Sequence, residues 1–253
     1  MRTVRVTRYV TPLREGGSLP AIVEGDDDGL YVLKFRGAGQ GPLALVAELI
    51  SGEIGRLLGL RVPELVFMEL SESIGRNEPD PEIRDLLLAS IGLNLGLDYL
   101  PGATMFDPAA GDAVDATTAS KAVWFDAFVT NLDRTAKNAN LLWWHKQLYF
   151  IDHGASLYFH HNWRDIEVAA MNPFITIKNH ILLPWASRIA EVDKEMRSKL
   201  DGSASRPIVA AVPEDWLARQ DGPTAEGYLA YFATRLKSSG FMEEAMRAHA
   251  QLV

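Results

Sequence analysis

The chain has 253 residues, 47% hydrophobic and 23% charged, and a formal net charge of −8. That length suits one large domain or two lobes around a sizeable core. The acidic balance argues against a general binder of nucleic acid or anionic membrane, and the absence of cysteine excludes disulfides, thiolate nucleophiles and cysteine-ligated metal centres. The N-terminus is basic without an apolar signal core, and no apolar run reaches the length of a membrane span. A soluble, cytoplasmic protein is expected.

In chain order, the β-branched run Val4 to Val10 predicts a first strand. Thr11 to Pro20, containing Glu15-Gly-Gly-Ser-Leu-Pro20, predicts a turn-rich loop. Ala21 to Glu24 and Leu30 to Phe35 predict a hairpin about the polar turn Gly25 to Gly29. Pro42 opens a helix to about Leu58, ended by Gly59-Leu-Arg-Val-Pro63. Strand Glu64 to Leu70, a polar loop over residues 72–81, helix Glu82 to Ser90 and an extended Leu93 to Leu100 follow, before the break at Pro101-Gly102.

The second half reads as mostly helical, with helices over Thr117 to Asn131, Leu183 to Leu200, Pro213 to Arg219, Ala225 to Leu236 and Phe241 to Leu252. A hairpin from Ala139 to Ile151 interrupts it. The pattern predicts an α+β, two-lobed fold and resembles the architecture of kinase-like folds. Residues 1–100 would form a small β-rich N-lobe with one main helix, and residues 101–253 a larger α-rich C-lobe. A nucleotide would bind between them, near the linker Asp98 to Gly102.

The residues that carry chemistry lie on the loops of this scheme. Asp133-Arg-Thr-Ala-Lys-Asn138 sits between a helix and a strand, a loop on rigid supports. Asp and Asn are also common in turns and caps, so the spacing alone is a weak signal. It gains force from Asp152, at the end of the apolar run Leu148 to Ile151 and two residues before Gly154. A carboxylate there is placed to bind a metal, with the glycine permitting unusual backbone angles. His153, between them, is expected to act through its position rather than as a proton shuttle.

Alternation along Tyr31 to Phe35 puts Lys34 and Val32 opposite Tyr31, Leu33 and Phe35. Lys34 is the candidate for gripping nucleotide phosphates, and the amides of Gly16, Gly17 and Ser18 are candidates for cradling them. Such a lysine needs a carboxylate on the next helix. Periodicity places Glu53 nearer the apolar stripe and Glu48 off it, while Gly52 and Gly55 invite a distorted helix. His160, His161 and His180 lack a ligand set at metal spacing and are expected as surface or satisfied core residues. Trp143 and Trp144 are expected on opposite faces of their strand.

Together these residues resemble the HipA-like kinase family, over roughly Glu15 to Gly154. The carriers are Gly16-Gly-Ser-Leu-Pro20, Lys34, Glu48 with Gly59-Leu-Arg-Val-Pro63, Asp133-Arg-Thr-Ala-Lys-Asn138 and Asp152. Asp-Arg-x-x-x-Asn is also similar to the phosphoinositide-kinase pattern. The resemblance favours Glu48 over Glu53. It implies ATP and Mg²⁺ as cofactors, with Asp133 serving the acceptor hydroxyl, Asn138 and Asp152 holding Mg²⁺, and Lys34, oriented by Glu48, on the ATP phosphates. Backbone groups of Asp98, Tyr99 and Leu100 would meet the adenine. The acceptor implied is a protein Ser or Thr. A nucleotide-binding pseudokinase and a kinase of small molecules or lipids stand as alternatives. The chain is shorter than HipA toxins, and the resemblance is to a smaller, stand-alone group. Ser18 falls where those toxins can be autophosphorylated, but that role is not carried over.

Overall fold

Period-two burial shapes the first hundred residues. Strands β1 (Thr3–Pro12), β2 (Ala21–Gly25), β3 (Leu30–Lys34), β4 (Leu65–Leu70) and β5 (Gly92–Asp98) close into a barrel ordered β1-β2-β3-β5-β4, with β1 parallel to β4. The computed structural model describes residues 1–14, 18–76, 78–201 and 203–252. Alternate residues fill the barrel: Val4 and Val6, Ala21 and Val23, Tyr31 and Leu33, Val66 and Met68 are all buried. Gly96 faces the same interior, where a Cβ would stand 2.5 Å from Met68 Cγ. The strand glycine thus makes room for a large neighbour.

Helix α1 spans Pro42–Leu58, as the sequence predicts, with proline in its first turn. Gly59 caps it in the left-handed conformation, φ 89°, and returns its N–H to Arg56 O. The distortion expected from Gly52 and Gly55 does not occur. A Cβ on Gly52 would lie 2.7 Å from Leu65 Cδ1, so the glycine lets α1 lie close against β4. Leu45, Val46, Leu49, Ile50, Ile54 and Leu58 of α1 are buried in a second, larger apolar cluster, distinct from the barrel interior. Leu65, Leu95 and Leu97, on the outer faces of β4 and β5, join that cluster.

Between β4 and β5 lie α2 (Glu72–Gly75) and α3 (Pro81–Ala89). The short α2 replaces the start of the predicted loop. Asp80 caps α3 by accepting from Glu82 N–H, 3.0 Å. Helix α4 (Ala116–Val129) supplies Val123, Trp124, Phe125 and Phe128 to the larger cluster, and Asp115 caps it. Strands β7 (Leu141–Trp144) and β8 (Gln147–Phe150) form the expected hairpin. The two-residue β6 (Thr104–Met105), too short to show a pattern, adds a third strand.

Helices α5 (Ile166–Met171), α6 (Ile189–Lys199), α7 (Ser205–Ala210), α8 (Ala225–Lys237) and α9 (Gly240–Ala250) complete the chain. The single helix expected over Leu183 to Leu200 is instead a 3₁₀ turn, Leu183–Trp185, followed by α6. Pro184 supplies no N–H for a continuing ladder. The helix expected from Pro213 shrinks to the 3₁₀ turn Glu214–Trp216. The sequence gives no periodic signal for α5 or α7, each only six residues long. This tail clasps the barrel and α1. Lys199 Nζ donates to Leu58 O at 3.0 Å, Arg36 pairs with Asp215 at 3.1 Å, and Trp216 meets Phe67 edge-on at 5.9 Å. Among the described residues no helix is long and apolar enough to cross a membrane.

Candidate active site

Three elements converge at Lys34. Leu33 points into the barrel, so its neighbour Lys34 leaves the opposite face. Its ammonium donates to Glu48 Oε2 on α1 and to Asp152 Oδ1 after β8, each at 2.6 Å. Burial opposes the Lys34 charge, but Asp152 and Glu48 outweigh it and hold the ammonium protonated beyond its usual range. Burial likewise opposes the Glu48 charge, and Lys34 with His153 outweighs it, leaving the carboxyl well below the usual carboxylate range. Glu53 pairs instead with Arg56 at 3.6 Å and is partly exposed. The periodicity that favoured it assumes one wet face. On α1, Leu43 to Gly52 are all buried apart from Ala44, so a position off the apolar stripe need not face solvent.

His153 is buried, with Nδ1 3.4 Å from the other Glu48 oxygen, Oε1. The unusual backbone is at Asp152 itself, φ 55°, and not at Gly154. Aspartate tolerates this left-handed region better than most residues.

A second buried carboxylate, Asp126 on α4, carries the Asp133 loop. Its Oδ1 accepts from Asn131 Nδ2 at 3.0 Å, and its Oδ2 faces Arg134 Nε at 2.6 Å and His180 Nε2 at 2.8 Å. Burial opposes the Asp126 charge, but Arg134 and His180 bring its pKa down overall. Thr130 ends α4 in the left-handed conformation, φ 55°, and Asn131 Oδ1 then accepts the Asp133 N–H at 3.0 Å. Arg134, itself buried, donates to the carbonyls of Asn140 and Ile151, tying the loop to the start and the end of the hairpin. Asp133 Oδ2 accepts from Asn138 Nδ2 at 2.7 Å and from Asn140 Nδ2 at 3.2 Å. Its proton affinity is raised, first by burial and further by Asp152, with the two asparagines opposing.

The Asn138 amide nitrogen thus donates to Asp133, and among the described residues its Oδ1 has no hydrogen-bond partner. Among the described residues no three His, Cys, Asp or Glu gather to hold a metal by themselves. Asn138 Oδ1 and the Asp152 carboxylate are oxygen donors, which fit a hard divalent cation whose remaining ligands are phosphate oxygens and water.

Of the predicted adenine contacts, the Asp98 N–H donates to Glu64 O at 2.9 Å and the Tyr99 N–H to Leu30 O at 3.0 Å, so both are already used. Leu100 is buried, and among the described residues its N–H has no acceptor. Gly16 and Gly17 lie outside the described residues. Ser18 is exposed and lines a surface cavity with Gly37, Ala38, Glu82 and Asp85, away from Lys34, whose side-chain bonds among the described residues go to Glu48 and Asp152.

Asp126 and Asn140 were missed from sequence, and Asn131 and His180 were given no part in holding the Asp133 loop. Asp126 did leave a trace, as the one charge in the apolar run Val123 to Val129. His180 left none. His180 is a satisfied core residue, its Nε2 on Asp126 and its Nδ1 accepting from Leu182 N–H, while His160 is buried with Nδ1 2.9 Å from the Tyr228 hydroxyl and Nε2 without a partner among the described residues. The half-buried Trp143 and Trp144 take different partners, Phe106 and Tyr149.

Solved structures with the same fold include a Helicobacter pylori proinflammatory kinase, CtkA, at 14% identity and TM-score 0.54, covering 99% of both chains. A Golgi casein kinase solved with Mn and ADP bound has 12% identity and TM-score 0.54, over 98% of this chain and 74% of that one. No match was found among curated proteins. The sequence model described as HipA-like kinase matches residues 6–239. With that match spanning nearly the whole chain, the protein belongs to the HipA-like kinase family.

Proposed function

We propose that this kinase transfers the γ-phosphoryl group of ATP, with Mg²⁺, to the hydroxyl of a protein Ser or Thr. The observation that carries the reading is the meeting of Lys34, Glu48 and Asp152 in 2.6 Å contacts, with a half-buried Asp133 close enough to feel the Asp152 charge. Lys34 would turn part of its charge to the nucleotide phosphates while Glu48 holds it in place. Asn138 Oδ1 and Asp152 would hold Mg²⁺, which neutralises charge on the β- and γ-phosphates. Asp133 would orient the acceptor hydroxyl and take its proton as the oxygen bonds to the γ-phosphorus and the bridging oxygen leaves with ADP. The Leu100 N–H, without an acceptor among the described residues, would donate to the adenine, and the amides of Gly16, Gly17 and Ser18 remain candidates for the phosphates. Positioning and charge neutralisation supply most of the rate.

Protein acceptors are favoured by kinship with a casein kinase fold and by the −8 charge, which opposes a polyanionic lipid surface. The test is label transfer from γ-labelled Mg-ATP to a general Ser/Thr-bearing protein, to phosphoinositide vesicles and to small alcohols. Label in the protein alone supports the reading. Label only in lipid or small alcohol reassigns the acceptor, and tight Mg-ATP binding with no transfer marks a pseudokinase.

A further inference from the structure

We infer that His153 is a positioning residue that couples the Lys34–Glu48 pair to Asp152. The inference rests on the phosphotransfer reading and deepens it. In an extended strand, neighbouring side chains point to opposite faces. The left-handed backbone at Asp152, φ 55°, breaks that rule and sends Asp152 to Lys34 and His153 to Glu48. Two adjacent residues therefore clasp both members of one ion pair. The circuit closes through Lys34 to Glu48 Oε2 at 2.6 Å, Glu48 Oε1 to His153 Nδ1 at 3.4 Å, the peptide link to Asp152, and Asp152 Oδ1 to Lys34 at 2.6 Å.

The chemistry favours histidine at this place. Glu48 is fully buried, and with Oε2 given to Lys34 its Oε1 needs a donor. His153 Nδ1 is the one recorded for it among the described residues. The imidazole also lies edge-on to Phe125 of α4, centroids 5.7 Å apart, so one ring meets both the charge and the apolar core. Its Nε2 is buried without a partner among the described residues, which fits the tautomer with the proton on Nδ1. Ser156 N–H holds the His153 carbonyl at 2.9 Å, fixing the backbone that aims the ring. A phenylalanine would keep the packing on Phe125 and lose the donor. An asparagine would keep a donor and lose the ring.

A double-mutant cycle on the full chain tests this, with His153→Phe, His153→Asn, Glu48→Gln and the pair His153→Phe with Glu48→Gln. The readouts are kcat, KM for ATP and the calorimetric Kd for Mg-ATP, with thermal melting as the control for folding. His153→Phe should lower kcat about tenfold, as expected for a contacting pair, and add little further loss on the Glu48→Gln background. His153→Asn should recover part of it. Additive losses, or a His153→Phe enzyme with wild-type kcat and KM, would overturn the coupling even if melting temperatures shift. Wild type that binds Mg-ATP without turnover would defeat the transfer reading, and the Kd cycle would then decide the coupling. Wild type that binds no nucleotide would overturn both.

Discussion

Two buried carboxylates organise this molecule, and each meets one cation and one histidine. Asp126 meets Arg134 and His180, and all three are fully or nearly fully buried. Glu48 meets Lys34 and His153, but Lys34 keeps 13% of its side chain exposed and reaches on to Asp152, which is 46% exposed. The first cluster is closed. Its carboxylate and cation are wholly buried, with Arg134 Nη2 left without a partner among the described residues, and the cluster fixes the shape of the Asp133 loop. The second is open on one side, so its charge can be shared with a ligand. The same local chemistry is thus sealed from solvent in one place and left partly open to it in the other.

The largest effect should come from breaking the closed cluster. Asp126→Ala leaves Arg134 buried without a carboxylate, which costs about 3–5 kcal/mol and lowers the melting temperature by roughly 10 °C. Calorimetry checks this, and turnover should fall only with the folded fraction and the loop geometry. Glu48→Gln should separate the two clusters. Lys34 keeps Asp152, so the melting temperature should fall less than in Asp126→Ala, while kcat per folded molecule falls more than stability predicts. Equal stability losses in the two variants would erase the distinction.

Acid sharpens the comparison. Both carboxylates sit below their ordinary pKa in the fold, so their stabilisation is present above the unfolded value and is lost as pH falls through the folded one. For Glu48 that window runs from 4.5 down to about 2. Glu48→Gln should flatten the melting curve's dependence on pH in that window and leave it unchanged near neutrality. Asp133 has the opposite sign. Its raised proton affinity means that ionisation at neutral pH works against the fold, chiefly through burial. Asp133→Asn should therefore melt at the wild-type temperature or slightly above, while losing transfer.

What could be read from the sequence follows the range of the forces involved. Helix α1, with proline at its start and glycine past its end, was legible to the residue because its signals are local. Lys34, Asp133, Asn138 and Asp152 stood out because alternation, loop position and spacing mark them. The partners that hold them did not. Asp126 to His180 spans 54 residues and Lys34 to Asp152 spans 118, and neither separation leaves a periodic trace. Glu48 over Glu53 was decided by resemblance, since a helix buried on more than one side defeats the amphipathic argument. Closure of the barrel by the parallel pairing of β1 with β4 is likewise a long-range event, invisible to local propensity.

The most direct measurement is release or transfer of the γ-phosphate of Mg-ATP by the purified protein, beside Asp133→Ala and Asp152→Ala, with nucleotide binding measured on the same samples. Wild type should turn over. Asp133→Ala should still bind Mg-ATP and lose about 10²–10⁴-fold in turnover. Asp152→Ala should lose both turnover and Mg-dependent binding. Wild type that neither binds nor consumes ATP, or an Asp133→Ala enzyme as fast as wild type, would contradict the account.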